Sequence, residues 1–172
     1  RIVSDQDIAA IKMEVVRNIE PADGFLQKVR ALADKHKIVL IFDECTTGFR
    51  ETFGGIHKKY QVEPDIAVFG KALGNGYAVT ALIGTRAVMD AANSSFISST
   101  FWTERVGSVA ALKVLDVMER QQSWKIVTET GKKVTNGWKK IADNHGVFIE
   151  CSGIPALCSF NFQGPNAKKY KT

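Results

Sequence analysis

Apolar and polar positions along the chain fall into two periods. "IVLIFDE", residues 38–44, is a continuous apolar run closed by two carboxylates, the pattern of a strand buried on both faces of a parallel sheet. "DIAVFG" (65–70) and "TALIG" (80–84) are shorter runs of the same kind and read as two more strands. "DIAAIKMEVV" (7–16) reads as a strand or its approach, and "SSFISST" (94–100) is a candidate for another. Between them the spacing becomes helical. "DGFLQKVRALADKHK" (23–37) puts Phe25, Val29, Leu32 and Ala33 on one face, with Asp23 placed to cap the N-terminus. "VGSVAALKVLDVMER" (106–120) aligns Ala111, Leu115 and Met118. A longer helix follows, with Trp124, Val127, Val134, Trp138 and Ile141 at helical spacing and lysines opposite. "GVFIECSG" (146–153) and "ALCSFNF" (156–162) then read as strands of a different sheet.

This order is α/β at first and α+β at the end. The sequence divides near "ERQQS" (119–123), into residues 1–120 and residues 121–172. A sheet that opens near residue 8 lacks its expected neighbours, so the chain reads as a piece of a longer protein. Its 45% hydrophobic and 24% charged residues suit a soluble globular protein. No run approaches the roughly 20 apolar residues of a membrane span, and Arg1 begins no signal peptide. A cytoplasmic location away from membranes is expected. The net charge of +5 is moderate, and the basic stretches "GKKVTNGWKK" and "AKKYKT" carry no nucleic-acid-binding motif. Cys45, Cys151 and Cys158 are odd in number and unpatterned, which fits reduced thiols. His36, His57 and His145 lack metal spacing and are expected at the surface or its boundary. Trp124 and Trp138 are expected in a core or interface, and Arg50 is expected to order a loop or interface.

The chemistry concentrates at two strand ends. Asp43 closes "IVLIFDE", at the edge where open α/β sheets bind ligands. A carboxylate there needs a cation or hydrogen bonds. Glu44 should point to the opposite face. Taken alone, Asp43 reads as a cap or turn acid sooner than as a ligand-binding one. Lys71 follows "DIAVFG" and is flanked by Gly70, Gly74 and Gly76, which allow tight turns and close ligand approach. It could be a loop charge, a phosphate clamp or a reactive amine. "GKALGNG" puts the lysine before the glycines and so fails the P-loop pattern. Together, a strand-end Asp and a strand-end Lys suit pyridoxal phosphate. Its aldehyde needs an amine, and its protonated ring nitrogen needs an anion.

"IAAIKMEVV", "GFLQKVRALADKHKIVLIFDECTTGFR", "PDIAVFGKALGNGYAVTALIG" and "SSTFWTERVGSVAALKVL" together resemble the class III, or ω-type, aminotransferases of fold type I. The similarity is to their glutamate-1-semialdehyde aminomutase-like branch, and it weakens after about residue 120. The resemblance implies part of a large domain, a mostly parallel sheet with helices on both faces, over residues 1–120. Residues 121–172 would then begin a smaller α+β domain. It also implies pyridoxal 5′-phosphate as cofactor, with a small-molecule amino donor and a carbonyl acceptor as substrates. Lys71 matches the lysine that holds the cofactor as a Schiff base and moves the proton, and Asp43 matches the partner of the ring nitrogen. Cys45 falls where the family has Val or Ile against the ring, and Thr46 falls near the phenolic oxygen. Thr100, assisted by Ser99, matches the threonine that reaches the cofactor phosphate of the neighbouring subunit, which implies a homodimer. Glu14 matches a glutamate near the substrate's path inward. The chain departs from the pattern at Val15, where the family has proline, and at "FWTERVG", where "GGNP" is commoner. The upstream glycine and Ser/Thr turn that cups the phosphate has no counterpart here, nor has the aromatic that stacks on the ring. Whether the chemistry is transaminase or aminomutase stays open.

Overall fold

The computed structural model describes residues 8–101, 103–165 and 167. The first residue of "DIAAIKMEVV", Trp102 and most of the basic tail lie outside them. Among the described residues, six strands and four α-helices follow in chain order: β1 (Ala10–Met13), α1 (Phe25–His36), β2 (Val39–Asp43), β3 (Ile66–Phe69), β4 (Ala81–Gly84), α2 (Arg86–Met89), α3 (Val106–Gln121), α4 (Ser123–Asn144), β5 (Ile149–Ser152) and β6 (Ser159–Phe162). The first four strands form one sheet in the order β1-β2-β3-β4. β1 runs parallel to β2 with Ala10 opposite Val39, and β2 runs parallel to β3 with Asp43 opposite Val68. The link from β3 to β4 carries one short 3-10 turn (Lys71–Leu73) and a glycine-rich loop, too short for a crossover, so β4 returns antiparallel, with Ile66 opposite Gly84. β5 and β6 pair antiparallel in a separate sheet. The architecture is therefore α/β, a mixed sheet flanked by helices, with a smaller sheet-and-helix part at the C-terminal end.

Two apolar clusters hold these layers together. In the first, Leu26 and Ala33 of α1 meet Leu40 and Phe42 of β2, together with Val15, Val16 and Ile154. In the second, Ala67 and Phe69 of β3 meet Ala72, Leu73 and Phe49, beneath Ala111 of α3. Leu115 and Met118 pack on that cluster, as the α3 stripe predicts.

On α1, Val29 and Ala33 pack against the first cluster as expected, and the first position of the face differs. Leu26 replaces Phe25, which is 45% exposed. The helix is entered through Gly24 at φ 70° with no side-chain cap, so Asp23 does not cap it. Arg30, on the inward side, binds Asp65 at 2.9 Å, and that carboxylate also accepts the Leu40 N–H at 2.7 Å. This ion pair ties α1 to the approach of β3. "SSFISST" forms no strand: it finds no neighbour in the sheet, whose β4 edge stays unpaired among the described residues.

α3 ends where Gln122 turns left-handed at φ 50°, and α4 starts at once. The outer face of α4 carries lysines, and Trp138 packs on Phe160 of β6. Gly131 lets α4 approach the turn at Pro155–Leu157, because a Cβ there would lie 2.0 Å from the Pro155 carbonyl oxygen. Gly131→Ala must push these elements apart. The expected loss is about 1–3 kcal/mol, as for other overpacked sites, and a lowered melting temperature by circular dichroism checks it. No described helix is long and apolar enough to cross a membrane.

Candidate active site

Two parallel strands deliver the candidate residues to one edge. The β2–β3 ladder extends one step past Asp43, through the Glu44 N–H bonded to the Val68 carbonyl at 2.8 Å. After β3 the chain turns sharply. Leu73 N–H bonds Gly70 O at 3.0 Å, and Asn75 N–H bonds Lys71 O at 3.0 Å. Ala72 and Leu73 sink into the second cluster beneath α3, while the Lys71 side chain stays exposed. At Gly74 a Cβ would lie 2.0 Å from the Tyr77 carbonyl oxygen, so the turn requires glycine there. Lys71 itself is left-handed, with φ 46°. That conformation costs an L-residue roughly 1–2 kcal/mol, and strain of this kind gathers at functional sites.

The Lys71 ammonium donates to the Thr46 hydroxyl at 2.5 Å. Thr46 belongs to the turn after β2, as does Cys45, whose sulfur would lie 3.4 Å from a Cβ added at Gly70. The thiol therefore sits against the backbone that precedes Lys71. Burial pushes the Cys45 thiol up and the Asp43 charge adds to this, while Lys71 and Lys12 pull it down. Asp43 is one-quarter exposed, and its Oδ2 meets Lys12 Nζ of β1 at 2.9 Å. Its Oδ1 accepts the Cys45 N–H at 3.2 Å. The Lys12 hydrogen bond holds the Asp43 carboxyl below its ordinary range, against an opposing push from burial, and the Cys45 N–H helps.

Behind this edge lies a polar cluster that the sequence did not reveal. Glu44 is 0% exposed and turns away from Asp43, as strand alternation predicts. Its Oε1 lies 2.9 Å from His57 Nδ1 and accepts the His57 backbone N–H at 3.0 Å. Its Oε2 accepts the Thr47 hydroxyl at 2.5 Å. Burial raises the Glu44 carboxyl, and the bonds from His57, Thr47 and backbone N–H groups outweigh it, so the net shift is downward. His57 is 4% exposed, not a surface residue as expected. A local pattern does not register it because its partner lies on another element. The cluster pins both ends of the 44–57 loop, which carries Cys45, Thr46 and Arg50. Arg50 does order this loop: its Nε donates to the Thr46 carbonyl at 3.3 Å, and its own carbonyl accepts the Thr128 hydroxyl of α4 at 3.1 Å.

The remaining candidates are not drawn into this group. Glu14 pairs with Arg17 at 2.7 Å. Ser99 and Thr100 are exposed, and the Ser99 hydroxyl accepts the Phe101 N–H at 3.4 Å. Lys12 was missed, and its position inside an apolar strand was the available signal.

The fold and the matched sequence agree on a family. Residues 2–172 match the family profile described as "Aminotransferase class-III". The 3-aminobutyryl-CoA aminotransferase of Cloacimonas acidaminovorans is 38% identical over 88% of this chain and 37% of its own length. The glutamate-1-semialdehyde 2,1-aminomutase of Methanothrix thermoacetophila is 34% identical over 96% of this chain and 40% of its own length. The chain thus spans about two fifths of these relatives. Among solved structures, the FumI protein of Sphingopyxis sp. MTA144, described in its PLP internal aldimine form, superimposes with a TM-score of 0.87. It is 24% identical over 96% of this chain and 41% of FumI, so the likeness is one of fold. Ornithine aminotransferase from Plasmodium yoelii gives a TM-score of 0.80 at 22% identity, over 94% of this chain and 45% of its own. With its profile matched along nearly the whole length, the chain belongs to the class-III aminotransferase family.

Proposed function

We propose that the protein transfers amino groups with pyridoxal 5′-phosphate, from a small-molecule amino donor to a carbonyl acceptor, and that Lys71 carries the cofactor. The observation that supports this reading best is the left-handed Lys71 at the sheet edge, with its amine on the Thr46 hydroxyl. The donor set suits the cofactor's chemistry. It comprises an amine, a hydroxyl, and an Asp43 carboxyl held low by Lys12. Bound pyridoxal phosphate supplies an aldehyde for the amino group and a ring that accepts an electron pair from the substrate carbon.

The chain's own residues have separate tasks. Lys71 would hold the cofactor through Nζ, and its free amine would take up and return the proton at the substrate carbon. Asp43 would accept a hydrogen bond from the protonated ring nitrogen, and Cys45 would pack against the ring. Thr46 would donate its hydroxyl hydrogen toward the phenolic oxygen. Ser99 and Thr100 serve the phosphate of a neighbouring subunit in a homodimer, and Glu14 lines the substrate's path. Residues 1–120 form the second half of the cofactor domain, and residues 121–172 begin the small domain. The left-handed break at Gln122 and the separate β5–β6 sheet support that division. Several relatives are glutamate-1-semialdehyde 2,1-aminomutases, which supports that branch.

A second reading is that the cofactor is held only when further chain segments complete the pocket. The exposed Phe96, Ile97, Phe101, Val106, Val109 and Leu112 favour it. Titrating the 172-residue chain with pyridoxal phosphate separates the two. Saturable growth of a visible absorbance band, bleached by an amine donor, supports the first reading. No saturable band, with the protein still folded, supports the second.

A further inference from the structure

Lys12 is a long cation inside an otherwise apolar strand, between Ile11 and Met13. Its side chain lies on the exposed side of β1. In the register it lies level with Ile41, two residues before Asp43. It nevertheless reaches forward along the sheet to Asp43 Oδ2 at 2.9 Å. Its side chain is 61% exposed and that of Asp43 24% exposed, so the contact is at the rim. The other carboxylate oxygen is held by the Cys45 N–H at 3.2 Å. With one oxygen bound from β1 and the other from the turn after β2, rotation of the carboxylate is restrained on both sides.

We propose that Lys12 is a positioning residue, which keeps the Asp43 carboxylate ionised and fixed in the orientation that receives the cofactor's ring nitrogen. This rests on the reading of Asp43 as the ring-nitrogen partner. A carboxylate oxygen has two lone pairs, so Oδ2 can accept from Lys12 and retain capacity for a second donor. The charged groups around Asp43 are Lys12 and, through Cys45, Lys71; Glu14 also acts on Lys12. Of these, Lys12 alone makes a direct ion pair with Asp43 among the described residues. The downward shift of the Asp43 carboxyl, caused first by the Lys12 hydrogen bond, agrees with this role.

The test compares the wild-type chain with Lys12→Met and Lys12→Arg. Carbon-detected NMR follows the Asp43 carboxyl through a pH titration without cofactor, and absorbance follows pyridoxal phosphate binding. Lys12→Met should raise the Asp43 pKa and weaken binding by about tenfold, the scale of one charge-assisted hydrogen bond. Lys12→Arg, which keeps a cation, should restore most of both. An unchanged Asp43 titration in Lys12→Met overturns the proposal, whatever the melting temperature does. So does tighter binding in that variant, which would make Lys12 a competitor for the carboxylate. If the wild-type chain binds no pyridoxal phosphate while folded, the pocket needs further chain segments, as in the second reading above. The hold of Lys12 on Asp43 is then decided by the cofactor-free titration alone.

Discussion

Lys71→Ala is expected to abolish the visible band formed with pyridoxal phosphate while leaving the fold intact. The amine is the only atom of Lys71 that the chemistry needs, and alanine has none. The side chain is exposed and makes a single hydrogen bond, to Thr46. Removing it should change stability by no more than about 0.5 kcal/mol. Alanine tolerates the left-handed backbone about as poorly as lysine does, so the turn gains no new strain. Ala72 and Leu73, which anchor the turn beneath α3, are untouched. An unchanged far-ultraviolet spectrum together with a lost band is the expected pair of results. Lys12 stands nearby as a second amine, but its pairing with Asp43 keeps it protonated, and its pKa is raised chiefly by that hydrogen bond. It should not replace Lys71. A full band in Lys71→Ala would remove Lys71 from its role.

Glu44→Leu should cost about 3–5 kcal/mol of stability, because each buried donor left without its acceptor costs about 1–3 kcal/mol. The carboxylate is fully buried and serves the His57 ring, the His57 backbone and Thr47 at once. Leucine leaves all three groups inside without an acceptor. The consequence should reach the candidate site, because the 44–57 loop carries Cys45 and Thr46. The pH dependence follows from the direction of the shift. The folded Glu44 carboxyl lies below its ordinary value of 4.5, so its contribution is fully present above 4.5. It is lost as pH falls through the lower folded value. Urea unfolding of wild type at pH 7 and in acid should show that loss, and Glu44→Leu should lack this part of the slope. A variant within about 0.5 kcal/mol of wild type would show that the cluster is not structural.

The strand "IVLIFDE", the turn that presents Lys71 and the α3 stripe were legible because each is a local pattern. The apolar run has one outcome in a covered parallel sheet, and Ala111, Leu115 and Met118 share a face by spacing alone. The separate β5–β6 sheet was legible for the same reason. The partner of Asp43 was not legible. Its cation comes from β1, and only the register of two strands brings Lys12 within reach. His57 was hidden in the same way, since Glu44 binds it across a folded loop. Asp23 failed as a cap because Gly24 supplies a left-handed entrance to α1. "SSFISST" has strand-like composition, yet strand formation depends on a neighbour with free edge groups. The roles of Ser99, Thr100 and Glu14 came from resemblance, and Lys71 hydrogen-bonds Thr46 instead.

Lys71 is proposed as the amine that carries the cofactor. The most direct test is to incubate the 172-residue chain with pyridoxal phosphate, reduce with borohydride, digest, and locate the phosphopyridoxyl group by mass spectrometry. The expected result is a single modified lysine at Lys71, approaching one group per chain. Modification spread thinly over surface lysines, with Lys71 unmodified in a folded chain that shows a saturable visible band, would contradict it.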